Sequence, residues 1–153
     1  MRQTNDTPTS FSSKDFVRTK ASILVDMPER LIHRGVEQSS SETEFSSERK
    51  HPVHVVDLPT KTISMTIGGL LPSQGTNRHR HAYETVIFIL EGTGSTFIED
   101  REVSWKAGDA IYVPVWAWHH HVNASGTDSC RYIACENMPL LQNLGGLALR
   151  EEC

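Results

Sequence analysis

The sequence predicts an all-β domain, a sandwich or barrel of short strands. From Pro52 onward the chain breaks into brief runs rich in β-branched and aromatic residues, with turn residues between them. One of these runs, residues 62–67 (Thr-Ile-Ser-Met-Thr-Ile), alternates apolar and polar side chains as a half-buried strand does. The preceding 50 residues have a different, polar composition and read as an arm rather than part of the barrel.

In chain order, residues 1–50 are rich in Ser, Thr, Glu and Gln. The run Gln38-Ser39-Ser40-Ser41-Glu42-Thr43-Glu44 offers too little apolar surface to order itself and is expected to be a loose loop. Ile23-Leu24-Val25 and Leu31-Ile32 are short apolar patches expected to dock on the domain. The chain thus divides into a partly irregular N-terminal arm, 1–50, and one domain, 51–153. Strands are expected at 53–58 and 62–67, followed by the turn signals Gly68-Gly69 and Leu71-Pro72-Ser73-Gln74-Gly75. Residues 79–91 read as one long strand ending at a Gly92-Thr93-Gly94 turn. Shorter strands follow at 95–99, 102–105, 110–113, 119–123 and 130–136, with a tight turn at Gly108-Asp109. The tail from Pro139 to Leu147 is expected to hold a short helix.

Val86-Ile87-Phe88-Ile89-Leu90 is apolar on both faces, so this strand needs cover inside and outside. The arm or a second subunit would supply the outer cover, and a homodimer is expected.

Composition narrows the function classes. The 153 residues carry a formal net charge of −4 and no basic cluster beyond Arg78-His79-Arg80-His81. Phosphate backbones are held by several cooperating Lys and Arg residues, so nucleic acid is not an expected partner. No apolar run approaches the roughly 20 residues of a membrane helix. The start of the chain is polar and lacks the apolar core of a secretory signal. Cys130, Cys135 and Cys153 form neither a disulfide framework nor a zinc-knuckle spacing. A cytoplasmic protein acting on a small molecule is the expectation.

Of eight histidines, five fall between His79 and His121. In a strand, His79 and His81 point to one face, and both imidazoles can reach one metal. His-x-His alone is a weak signal. The second element is Gly108-x5-Pro114-x4-His119-x3-Asn123, in which Pro114 ends one strand and His119 begins the next. Neighbouring antiparallel strands bring His119 opposite the His79/His81 pair.

His79-Arg-His81-x3-Thr85-x6-Gly92 followed by this second element resembles the two signature motifs of the cupin superfamily, over roughly residues 63–137. The resemblance implies a double-stranded β-helix, a jelly-roll barrel, with His79, His81 and His119 as metal ligands. Two departures narrow it. The first motif usually carries a ligand glutamate seven residues before its closing glycine. That position is Thr85, and Glu84, one residue earlier, is expected to face away unless a bulge intervenes. At Trp116 most cupins have glycine. Pro114-Val-Trp116-Ala-Trp118-His119-His-His121-Val-Asn123 looks like the second motif of the gentisate 1,2-dioxygenase branch, which also uses three histidines and no glutamate. Those enzymes are two-cupin chains about twice this length, so the likeness is to a one-cupin relative.

Three neutral imidazoles suit one divalent metal ion: Fe(II) by preference, with Zn, Mn, Ni or Cu as alternatives. With no carboxylate ligand the ion keeps its full charge and favours an anionic, chelating aromatic or enol-type substrate. The function expected is a metal-dependent dioxygenase. Alternatives are an isomerase, lyase or decarboxylase, or a small-molecule-binding cupin without catalysis; with Zn the ligands would hold an activated water. His121, two residues past His119, faces the same interior, as an acid/base, a hydrogen-bonding partner or a buried structural histidine. Tyr83, Trp116 and Trp118 are candidate substrate contacts, the indoles otherwise capping the barrel. Arg78, Arg80 and Arg131 are candidates for steering an anion.

Overall fold

The structure, a computed structural model, describes residues 24–38 and 51–153. Its strands are β1 Val53–Val55, β2 Ser64–Leu70, β3 His79–His81, β4 Thr85–Glu91 and β5 Thr93–Ile98, then β6 Arg101–Lys106, β7 Ala110–Val113, β8 His119–Asn123, β9 Cys130–Glu136 and β10 Arg150–Glu152. Among the described residues one α-helix, α1 Met138–Asn143, precedes β10, and a 3-10 turn spans Val36–Gln38. Two five-stranded antiparallel sheets result, ordered β1-β2-β9-β4-β7 and β10-β3-β8-β5-β6. This is the all-β sandwich that the turn spacing implies.

Side-chain alternation decides which face each strand buries. Along β4, Thr85, Ile87 and Ile89 are buried, whereas Val86 and Phe88 are 47% and 45% exposed on the outer face. Ile87 and Ile89 join Leu70, Ile111, Val113, Cys130 and Ala134 from the same sheet, and Trp105 from the other, in one core. That core fills one end of the interior. The inward histidines of β3 and β8 occupy the other. Gly108, at φ +92°, makes the tight turn into β7.

The expected long strand over 79–91 is two strands in different sheets. The chain turns a corner at residues 82–84, where other segments take over the backbone hydrogen bonds. Ala82 N–H donates to the Leu149 carbonyl (2.9 Å), and Glu84 N–H donates to Asn137 Oδ1 (2.9 Å). The Gly92-Thr93-Gly94 turn is also tighter than expected, since β5 already begins at Thr93.

The expected tail helix appears as α1, and two glycines with positive φ, Gly145 and Gly146, follow it. The chain then returns as β10 against the edge of β3, a strand the sequence reading did not anticipate.

In the described part of the arm, Leu24, Val25, Leu31 and Ile32 are exposed, so the expected apolar docking does not occur there. Charged groups make the contacts instead. Arg30 pairs with Asp57 (2.5 Å), and Glu37 receives two bonds from one guanidinium nitrogen of Arg131 (2.7 and 2.8 Å). Ile23 and most of the Ser-rich run lie outside the described residues.

Candidate metal centre

β3 and β8 are adjacent, and His79 stands directly opposite His119. His81, two residues on, shares the inward face. All three rings are buried, with centroids 4.2 Å (His79–His119), 4.8 Å (His81–His119) and 5.9 Å (His79–His81) apart. One nitrogen from each lies within 4.8 Å of the others.

Backbone carbonyls set the tautomers. His79 Nδ1 donates to the Asn77 carbonyl (2.8 Å), His81 Nδ1 to Tyr83 (2.7 Å) and His119 Nδ1 to Ala117 (2.9 Å). A carbonyl only accepts, so each Nδ1 carries the proton and the lone pair of each ring sits on Nε2. Burial pushes His79 down to about 2, with the neighbouring His119 and Arg150 adding to the shift, and burial likewise lowers His119. Three neutral rings with convergent lone pairs and orienting carbonyl partners fit one divalent metal ion.

The histidines open onto a cavity between the two sheets. Thr85, Ile87, Tyr132, Ala134 and Glu136 line its opposite wall. Thr85, where the cupin motif usually has glutamate, is buried and donates its hydroxyl proton to Glu136 Oε1 (3.2 Å). Glu84 is on the outer surface, accepting a hydrogen bond from the Tyr112 hydroxyl (2.9 Å).

The candidate anion-steering arginines are engaged elsewhere. Arg80 stacks on Trp116 and Trp118, 4.5 Å from each ring centroid, and pairs with Glu151 (2.7 Å). Arg78 lies 5.2 Å from the Trp118 ring, and Arg131 holds Glu37 and Glu91. The guanidinium that does line the cavity is Arg150 of β10, which also pairs with Glu152 (2.5 Å). It stands directly opposite His81 and therefore shares the inward face.

Trp116 and Trp118 are not brought to the cavity. Arg80 lies between two inward histidines on β3 and so points outward, and both indoles follow it. Trp116 has φ +63°, the left-handed region that favours glycine, which accounts for the glycine usual at this motif position. Tyr83 is buried and stacks on His81 (4.0 Å, 1° between planes), so it braces that imidazole rather than facing the cavity. His120 faces outward and stacks on Phe97.

His121 lines the cavity beside the cluster, with its ring 5.6 Å from His119. Burial, then the adjacent His119, pushes it down to about 3. Its Nδ1 lies 2.9 Å from Thr96 Oγ1, which accepts a hydrogen bond from Trp105 Nε1 (3.0 Å). Asn123, the last motif residue, holds the barrel end together by donating to the carbonyls of Leu70, Leu71 and Asp128.

Residues 67–135 match the family model described as the cupin domain. This segment has the cupin fold. Its similar proteins include the 5-aminosalicylate 1,2-dioxygenase of Comamonas sp., 36% identical over 85 residues, which are 55% of this chain and 22% of that one. Gentisate 1,2-dioxygenase 1 of Aquipseudomonas alcaligenes is 35% identical over 57 residues, covering 37% of this chain and 16% of the relative. The cupin domain is thus similar to about a fifth of the length of these enzymes. Among solved structures, the salicylate 1,2-dioxygenase of Pseudaminobacter salicylatoxidans superposes with a TM-score of 0.63 at 21% identity, over 68% of this chain and 32% of the other. At that identity the likeness shows the shared cupin fold.

Proposed function

We propose that this cupin is a metal-dependent dioxygenase that binds a small anionic aromatic substrate, with His79, His81 and His119 holding one Fe(II). The observation that carries this is the carboxylate-free cluster of three Nδ1-protonated histidines, with Thr85 where a ligand glutamate would lower the charge of the site. The relatives named as aminosalicylate and gentisate dioxygenases support the same chemistry. Bound there, the ion would supply adjacent open positions for a chelating substrate and dioxygen.

The chain's own residues prepare that meeting. The carbonyls of Asn77, Tyr83 and Ala117 fix the ring planes, so the lone pairs stay aimed without reorganisation. Arg150 attracts the acid group of the substrate from the β10 side. Ile87 and Ala134 present an apolar wall to its ring, with Glu136 and Thr85 as the polar groups on that side. His121 stands within the same cavity and acts on the bound substrate or oxygen. Oxygen consumption by the Fe(II)-reconstituted protein, offered hydroxylated aromatic acids, tests this reading.

The exposed outer face of β4 and β7, with Val86, Phe88 and Tyr112, is the surface on which a second copy would complete a homodimer.

A further inference from the structure

The four inward histidines of β3 and β8 do not share one hydrogen-bonding arrangement. Three turn Nδ1 to a backbone carbonyl. The fourth, His121, turns Nδ1 to a hydroxyl, Thr96 Oγ1, at 2.9 Å. Which atom donates follows from counting protons. Trp105 Nε1 is donor only, so Thr96 Oγ1 must accept from it across 3.0 Å. Thr96 is fully buried, at 0% exposed, and among the described residues the partners of its hydroxyl are this indole and His121. If His121 donated as well, the hydroxyl proton would be buried without an acceptor, an arrangement native interiors avoid. The hydroxyl therefore donates to His121 Nδ1, and the imidazole proton sits on Nε2, across the ring on the cavity side.

We infer that Trp105 and Thr96 are positioning residues that lock His121 as an Nε2–H donor facing the cavity. It then serves as a fixed hydrogen-bond donor to bound substrate or oxygen and not as a proton acceptor, because its one lone pair is already occupied. For the function proposed above, which this inference rests on, His121 would then be a hydrogen-bonding partner rather than an acid/base.

Three features of the fold hold the chain of bonds in place. Thr96 and His121 are direct cross-strand partners of β5 and β8, so their side chains share a face. Trp105 is the cross-strand partner of Gly94 in β6 and β5. A Cβ at Gly94 would strike the indole, so the glycine is what lets Trp105 lie across β5 and reach Thr96. The His121 backbone N–H donates to Thr76 Oγ1 (3.0 Å), fixing the strand at the same residue.

The test is nitrogen NMR of the full chain labelled with 15N-histidine, metal-free and loaded with Zn(II), with His121 assigned from His121→Gln. The expected spectrum has His121 protonated at Nε2 and His79, His81 and His119 protonated at Nδ1. In Thr96→Val, isosteric with the native residue, the acceptor lone pair loses its donor and the His121 pattern changes. Thr96→Ser keeps the hydroxyl and restores it. An Nδ1–H His121 in the native protein, or an unchanged pattern in a folded Thr96→Val, overturns the inference. Neither readout needs oxygen chemistry, so this inference and the dioxygenase reading fail separately. Where turnover is measured, Thr96→Val lowers kcat on the order of 10-fold, as for other groups that orient a site residue, with metal stoichiometry unchanged. A kcat equal to that of the native protein would also contradict it.

Discussion

Arg150, in the last strand of the chain, stands directly opposite His81, in the first metal-site strand. The pairing puts a guanidinium on the inner face beside three neutral imidazoles. Its charge is felt there, for it helps to depress both His79 and His119. Arg150→Met should leave the metal content unchanged and weaken the binding of salicylate. A hydrogen bond to a charged group is worth about 1.5–3 kcal/mol, so the loss in affinity should be roughly 10- to 100-fold. Equal salicylate affinity in the variant, by calorimetry, would show that Arg150 does not contact the acid.

The histidines should separate by role. His119→Ala removes one of three lone pairs and should abolish stable metal binding, measured as metal per chain after dialysis. His121→Ala should keep the metal, because the proton on its cavity-side nitrogen leaves no lone pair to give. Full metal content in His119→Ala would refute the ligand set.

The apolar end of the barrel predicts a different kind of loss. Ile89 is 1% exposed, in the centre of β4. Ile89→Ala should destabilise the metal-free protein by about 2–5 kcal/mol in urea unfolding, through lost burial and the cavity left behind. A change below about 1 kcal/mol would mean that this part of the core is loosely packed or repacks freely.

Phe88, one residue away on the same strand, faces outward. Phe88→Glu should leave the unfolding of the subunit nearly unchanged and convert a dimer to a monomer in sedimentation analysis. A native protein that sediments as a monomer at micromolar concentration would remove the proposal of a second copy on this face.

Much of this was legible in the sequence, for identifiable reasons. The strands Ala110–Val113, His119–Asn123 and Cys130–Glu136 fall where expected because turn residues bound them on both sides. The His79–His81–His119 cluster followed from strand parity and one antiparallel pairing. Glu84 was placed outside by the same parity. What escaped was set by tertiary pairing. No glycine or proline marks the corner at residues 82–84, which is held by bonds to Asn137 and Leu149, distant in sequence. β10 is three residues of Arg and Glu with no alternation to betray it, so Arg150 was missed with it. Thr96 and Trp105 gain their meaning only from the register that sets them against His121 and Gly94. Trp116 and Trp118 were candidates either for a substrate wall or for capping the barrel, and Arg80 draws both to the outer face.

We propose that a carboxylate-free histidine site in this cupin activates oxygen toward an anionic aromatic substrate. The most direct test is anaerobic reconstitution with Fe(II), followed by oxygen uptake against salicylate, gentisate, 5-aminosalicylate and related hydroxylated acids and diketones. Stoichiometric uptake with at least one aromatic acid, absent in His119→Ala, is the result expected. No uptake with any of them, while the iron remains bound, would contradict it.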